Sequence, residues 1–229
     1  MSVTTSNEST ASQQVQSVPF KKIDTNASKA YLYSKRLMDF ISALLGIVFL
    51  SPLFLLVALI IKVEDRKGPI LFKQIRIGED GKEFYMYKFR SMVSNAEELK
   101  ASLMEQNEVD GPVFKIKDDP RVTKIGKFIR KTSIDELPQL MNVLKGEMSL
   151  VGPRPALPDE VAQYTIYERQ RLKVKPGLTC YWQVSGRSNV SFYEWVEMDL
   201  QYIHDRNLLV DVKLVFKTVV VLFGSRDAY

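Results

Sequence analysis

From Phe40 to Ile61 the chain carries no charged residue, and the apolar side chains fall on every side of a helical wheel. A run of that length is enough to cross a bilayer as a helix. A helix apolar all round is rare in a small soluble domain. Ser51-Pro52 interrupts the run near its middle, where proline removes one backbone donor and clashes with the preceding turn. Both flanks are basic: Lys29, Lys35 and Arg36 before, Lys62, Arg66 and Lys67 after. The positive-inside rule therefore selects no orientation. A helix that enters, breaks at Ser51-Pro52 and returns leaves both ends on one side, with Ser51 satisfying backbone groups freed at the break.

The remaining pattern is a mixture of short elements. Ile70–Gln74 and Phe84–Lys88 flank the turn-rich Gly78-Glu79-Asp80-Gly81, which predicts a β-hairpin. Residues 95–106 read as an exposed helix, 158–171 as an amphipathic helix, and 191–206 as a helix opened by Ser191 and Glu194 at capping-box spacing. Residues 108–112 and 118–121 read as loops. Residues 211–224 repeat Val, Leu and Phe around Lys213 and Lys217, as in a basic amphipathic helix on a membrane surface or against the first helix. Residues 1–28 are polar with little periodicity and read as a flexible cytosolic tail. The expected architecture is α+β: a re-entrant membrane helix over 29–66, then a mostly helical cytosolic catalytic domain over 67–229 carrying the hairpin.

The densest chemistry lies in Thr132-Ser-Ile-Asp135-Glu136-Leu-Pro138-Gln139. Ser133 and Glu136 have capping-box spacing, and Pro138 is tolerated only in a first turn, so a helix is expected to start near Asp135. Two carboxylates there would cap the helix, and would stay ionised in the field of its free N–H groups. The same groups attract phosphate, which would bring a carboxylate nucleophile beside a phosphoryl group. Arg121, Lys124, Lys127, Arg130 and Lys131 precede the pair and Arg154 follows it. Lys88 and Arg90 alternate with apolar residues, either as solvated charges or as one polar face. In Gly152-Pro153-Arg154-Pro155 two prolines hold an arginine in a stiff loop suited to a phosphate contact. Lys175, Gln183 and Arg187 stand in a stretch of turn, basic and aromatic residues such as a phosphate loop uses. Asp118 and Asp119 are turn residues or metal ligands.

Composition narrows the classes. The 229 residues carry a net charge of +5, which suits an anionic surface or a phosphorylated substrate and is too weak to indicate nucleic acid. One cysteine, Cys180, rules out an internal disulfide or a thiol metal cluster, and one histidine, His204, rules out chemistry that needs several.

Taken in order, Lys35-Arg-Leu-Met-Asp39, Ser51-Pro52, Phe72-Lys-Gln-Ile-Arg-Ile-Gly78, Lys88-Phe-Arg-Ser-Met92, Ser133-Ile-Asp-Glu-Leu-Pro-Gln139, Val151-Gly-Pro-Arg-Pro155, Lys175-Pro-Gly-Leu-Thr179 and Gln183-Val-Ser-Gly-Arg187 resemble the bacterial sugar transferases, the polyprenyl-phosphate glycosylphosphotransferases. The resemblance runs from about Tyr33 to the C-terminus. It implies transfer of a sugar-1-phosphate from a UDP-sugar to undecaprenyl phosphate, with release of UMP, as the first membrane step of exopolysaccharide or capsule assembly. It implies glucose or galactose as the sugar, Asp135 as nucleophile in a covalent intermediate, and Mg2+ with Asp135 as ligand. Glu136 would serve either the acceptor or the metal. Lys88, Arg90, Arg130, Arg154, Lys175, Gln183 and Arg187 become candidates for phosphate or substrate contacts. The resemblance also implies a monotopic protein of the cytoplasmic (inner) membrane whose catalytic domain faces the cytoplasm, its product passing to downstream glycosyltransferases. A direct single displacement, or a scaffold without chemistry, are the competing readings. Cys180 departs from the small residue expected after Thr179, a change that would tune the nucleotide loop.

Overall fold

The computed structural model describes residues 22–106, 116, 118–185 and 190–224. Helix α1, Lys29–Glu64, is one continuous element. Ser28 caps it by accepting from the Tyr31 N–H at 3.2 Å. Lys62 closes its far end by donating to the carbonyls of Arg66 and Gly68. The break expected at Ser51-Pro52 is not seen: the backbone stays helical through it, and the Ser51 hydroxyl donates to the Val48 carbonyl at 2.8 Å. That carbonyl is the acceptor which Pro52, lacking an N–H, leaves unused. Residues 22–28 lie outside α1 but are tied down: Ile23 donates to Gln170 and the Thr25 carbonyl accepts from Arg206. The rest of the expected tail, 1–21, lies outside the described residues.

One stripe of α1, Lys35, Asp39, Ala43, Val57 and Ile61, is buried against the globular part. The opposite side exposes Leu45, Val48, Phe49, Leu55, Leu59 and Val63. Both ends are bonded to that same body. Arg36 donates to the Val143 and Leu144 carbonyls at 2.6 and 2.7 Å, and Asp39 accepts from the Leu150 N–H at 3.0 Å. At the far end Glu64 accepts from Lys124 N at 2.9 Å, and Asp65 pairs with Arg90 at 3.2 Å.

Strands β1 (Leu71–Ile77) and β2 (Glu83–Phe89) form the antiparallel hairpin, with Gln74 opposite Met86. Asp80 and Gly81 turn it with φ of 56° and 79°. Phe84 and Met86 enter a core with Ala43, Leu140, Val143 and Met148, while Phe89 packs with Val57, Ile61 and Ile129. Next come α2 (Ala96–Lys100), which gives way to a 3-10 turn over Ala101–Gln106, then α3 (Lys124–Lys131) and α4 (Leu140–Lys145). The expected loop at 108–112 lies outside the described residues.

Strands β3 (Ser149–Val151) and β4 (Gly177–Thr179) pair in parallel. Their crossover differs from the single helix expected over 158–171. Helix α5 stops at Gln163 and a 3-10 turn, Glu168–Lys173, follows. The β-branched Thr165 and Ile166 sit at the break. Glu168 caps the second piece by accepting from the Thr165 N–H and hydroxyl at 2.6 and 2.9 Å. Tyr164 is buried there, its hydroxyl accepting from Arg171 at 2.8 Å. After α6 (Tyr181–Val184), α7 (Phe192–Asp205) carries the Ser191–Glu194 capping box. Helix α8, Leu208–Gly224, starts three residues earlier than expected because the Asn207 side chain accepts from the Val210 N–H at 3.1 Å. A third core joins Val151, Val174, Cys180, Val196, Leu200, Tyr202, Ile203 and Leu214. Asp211 ties α8 to α1 and α7: it accepts from Tyr31, Lys35 and Tyr202 at 2.9, 3.0 and 2.7 Å.

Candidate active site

The carboxylate pair stands on a 3-10 turn, Ile134–Gln139, rather than at the head of an α-helix; α4 begins only at Leu140. Pro138 withholds an N–H, so regular helical bonding is delayed until after it. The expected capping box is absent. Ser133 adopts a left-handed conformation, φ 55°, and its side chain makes no capping bond. Its backbone N–H closes the end of α3 on the Arg130 carbonyl at 3.0 Å, and its own carbonyl accepts from Glu136 N at 3.2 Å. The turn packs against β2, which delivers Lys88. The Lys88 ammonium meets Glu136 at 2.7 Å.

The two carboxylates live in different surroundings. Asp135 is 7% exposed, whereas the Glu136 side chain is 43% exposed. Burial raises the Asp135 pKa to about 6, and neighbouring Glu136 adds to the rise; Lys88 and Arg130 pull against it. This corrects the expectation that a helix terminus keeps Asp135 fully ionised: the dipole of a short 3-10 turn is small, and desolvation outweighs it. A buried carboxyl raised in this way is a frequent feature of sites that do chemistry.

Two further arginines act on one another, and one of them, Arg76, acts on Glu136. Arg154 is half-buried, its guanidinium 5.4 Å from the Trp195 ring centre. The loop that carries it is built by two sequence motifs at once. Gly152 N donates to the Thr179 carbonyl and Gly177 N to the Pro153 carbonyl, both at 2.9 Å. A Cβ on Gly177 would overlap the Gly152 backbone nitrogen. Arg76 on β1 is buried and donates to the Pro155 carbonyl at 2.9 Å. Arg76 stands inside the Phe72–Gly78 motif but is not among the site residues expected from sequence. The available signal was period two: it shares a strand face with polar Gln74.

The other candidates fall elsewhere. Arg90 is taken up by Asp65, its Nη2 also donating to the Asp65 carbonyl at 2.7 Å, and it fills the space beside Gly68. It joins the end of β2 to the end of α1, whereas Lys88 meets Glu136. Lys175 is half-buried, with its carbonyl against Gly152. Gln183 is buried in α6. Arg187 lies outside the described residues. Asp119 pairs with Arg121 at 2.6 Å, which holds its carboxyl below the usual range; it serves a turn. Cys180 is fully buried in the third core, where burial raises its thiol pKa, so it packs the core rather than lining a loop. His204 is exposed beside Asp205. Among the described residues no three His, Cys, Asp or Glu side chains gather as a metal cage.

Comparison with known proteins converges on one family. The model described as "Bacterial sugar transferase" matches residues 30–225. The galactosyl transferase CpsE of Streptococcus agalactiae is 45% identical over 221 residues, 93% of this chain and 48% of that protein. The exopolysaccharide production protein ExoY of Sinorhizobium fredii is 42% identical over 200 residues, 86% of this chain and 88% of that protein. The undecaprenyl-phosphate galactose phosphotransferase of Salmonella typhimurium is 42% identical over 207 residues, 89% of this chain and 43% of that protein. The chain thus spans about half the length of the Streptococcus and Salmonella relatives. With the family model covering most of its length and ExoY matched nearly end to end, the chain belongs to the bacterial sugar transferases.

Proposed function

We propose that this protein transfers a hexose-1-phosphate, glucose or galactose, from a UDP-sugar to undecaprenyl phosphate and releases UMP. The observation that carries the reading is a buried carboxylate of raised pKa, Asp135, with Lys88 and Arg130 acting on it and Arg76 acting on its neighbour Glu136 and on Arg154. A dense cationic rim suits a diphosphate, and a carboxylate beside it suits attack on phosphorus. In the first step an Asp135 oxygen bonds to the sugar-bearing phosphorus, and the bond from that phosphorus to the UMP oxygen breaks. UMP leaves with the electron pair. In the second step an oxygen of undecaprenyl phosphate attacks the same phosphorus and Asp135 departs as carboxylate. Lys88, Arg130 and Arg154 hold phosphoryl oxygens and balance their charge. The names of the Salmonella relative and of the UDP-glucose:undecaprenyl-phosphate glucose-1-phosphate transferase of Escherichia coli support donor and acceptor classes of this kind.

Mg2+ fits the donor set. It is usually held by one or two carboxylates together with substrate phosphates, and Asp135 with its half-exposed neighbour Glu136 supplies that much. When bound it would neutralise diphosphate charge.

The membrane reading is that α1 enters and leaves from the cytoplasmic face of the inner membrane. A helix of 36 residues is about 54 Å long, far more than the ~30 Å of hydrocarbon it would need to cross. Both its ends are bonded to one body, which supports a return to the starting side. The outward face of α8, with Leu209, Val212, Phe216 and Val220 exposed beside Lys213 and Lys217, would lie on the same surface. The product would enter exopolysaccharide or capsule synthesis through downstream glycosyltransferases.

The test is UMP release by detergent-solubilised protein with Mg2+, across a panel of UDP-sugars, with and without undecaprenyl phosphate. Release from one donor, abolished in Asp135→Asn, is expected. Mass spectrometry after donor alone should find a hexose-phosphate adduct on the peptide holding Asp135. Turnover without that adduct would favour single displacement, and no release from any donor would sink the transferase reading.

A further inference from the structure

Arg76 is a buried cation without a carboxylate partner. It is 5% exposed. Its Nη1 donates to the Pro155 carbonyl at 2.9 Å and its Nη2 to Gln74 Oε1 at 2.7 Å, both neutral acceptors. Its Nε is buried with no acceptor among the described residues. Neither Arg76 nor Arg154 takes part in an ion pair among the described residues. Burying a guanidinium without a counter-charge is costly, and a fold that only needed to fill the space would do better with an apolar side chain. The two guanidinia also sit close enough to repel: burial first, then Arg154, lowers the Arg76 pKa to about 10, with Glu160 and Glu136 opposing. Glu160 is itself buried: one carboxylate oxygen caps α5, accepting from the Leu157 N–H at 2.9 Å, and the other has no hydrogen-bond partner among the described residues. Glu160 offsets part of the Arg76 charge, but no ion pair joins the two.

Arg76 also grips the loop that carries Arg154. Beside its bond to Pro155, Ile77 N donates to the Ala156 carbonyl at 2.9 Å, so β1 holds the loop at two successive residues. The Arg154 guanidinium also lies over the Trp195 ring. The loop is thus fixed with its arginine beside a second positive charge that no ion pair neutralises.

We propose that Arg76 is a positioning residue of this site: it anchors the Pro153-Arg154-Pro155 loop and adds a second positive charge, so that the site selects a diphosphate over a monophosphate. The selectivity rests on reading the site as the one that receives a nucleotide-sugar diphosphate, but the loop anchoring does not. Arg76 acts through Arg154, since its own guanidinium is buried. The two should therefore be strongly coupled in anion binding.

Calorimetric titration of the full chain in detergent with Mg2+, using inorganic pyrophosphate and inorganic phosphate as probes, tests this without turnover. Pyrophosphate should bind the wild-type chain about tenfold more tightly than phosphate, and Arg76→Met should remove about that factor for pyrophosphate alone. In an Arg154→Ala background the same substitution should change pyrophosphate affinity less than about twofold, because coupled residues are not additive. Unchanged affinity in Arg76→Met, or an equal loss in both backgrounds, would overturn the proposal, and so would a wild-type chain that does not prefer pyrophosphate. If Arg76→Met does not fold, Arg76→Lys keeps the charge but surrenders the fork that spans Pro155 and Gln74. It should weaken pyrophosphate by about threefold, less than the 1.4 kcal/mol of a full decade; wild-type affinity there would also overturn the idea. A chain that shows the pyrophosphate preference and the coupling, yet releases UMP from no UDP-sugar, would support this inference while removing the transferase reading.

Discussion

Asp135 gains its proton affinity by being buried, and that has consequences for both rate and stability. Its pKa rises on folding from 3.8 to about 6, so the folded chain binds the proton more tightly than the unfolded chain. The associated stability is present below about pH 4 and is lost as pH rises through about 6. At neutral pH the buried carboxylate costs the fold up to about 3 kcal/mol. Asp135→Asn should therefore melt at higher temperature than wild type at pH 7.5, with the gap closing as pH falls toward 4; an equal gap at both pH values would refute this account. As nucleophile, Asp135 must be ionised, so the rate of UMP release should fall about tenfold per pH unit below about 6. Lys88 pulls that pKa down, and Lys88→Met should move the acid limb of the rate profile upward by about one unit. A limb that stays in place would mean Lys88 does not sense Asp135.

Asn142 carries a structural load at the same scale. It is fully buried, donates to the Tyr85 carbonyl at 2.7 Å and accepts from the Tyr87 N–H at 3.1 Å, which extends the hairpin edge into α4. Asn142→Ala would strand both backbone groups and should cost about 3 kcal/mol, read as a drop in the denaturation midpoint. A change under about 0.5 kcal/mol would mean the edge finds other partners.

Among the elements, β3 and β4 are short, yet they decide where Arg154 stands. Two motifs some 25 residues apart in sequence meet through the Gly152 and Gly177 backbones, which approach more closely than any side chain would allow. Gly177→Ala adds one methyl where there is no space. It should destabilise by about 1–3 kcal/mol and shift the Arg154 loop. The expected signature is a fall in pyrophosphate affinity larger than the change in melting would explain. A variant with wild-type affinity would show that the loop keeps its place without this contact. Helix α1 shows a similar economy, for the Ser51 hydroxyl takes the place of the N–H that Pro52 lacks.

For the molecule as a whole, the question is where α1 runs. An outward face carrying Phe49 at 84% exposure and Leu55 at 74% is not stable in water over such a length. If both ends lie in the cytoplasm, cysteines placed at exposed Ser34 and Lys67 should react alike with an impermeant thiol reagent, only after the inner face is opened. Cys180 is fully buried and should stay silent in that assay. Reaction of the two positions from opposite sides would show a simple span instead.

Local pattern was enough for much of this molecule. The apolar run, the hairpin, the capped α7 and the adjacent carboxylates were legible because each depends on neighbours within a few residues: periodicity, turn glycines, a cap three positions away. Residue order also carried the family resemblance, since motif spacing survives without coordinates. Tertiary structure alone decided the rest. Capping spacing at Ser133 suggested a helix head, but the left-handed residue and Pro138 make a 3-10 turn there. Lys88 and Arg90 looked equivalent in sequence; one reaches Glu136 and the other Asp65, because their partners come from distant segments. Arg76 and Asn142 looked ordinary for the same reason. The charge state of Asp135 could not be read from its neighbours in sequence, because it depends on how much water the packed chain excludes from that carboxylate and on which cations the packing sets beside it.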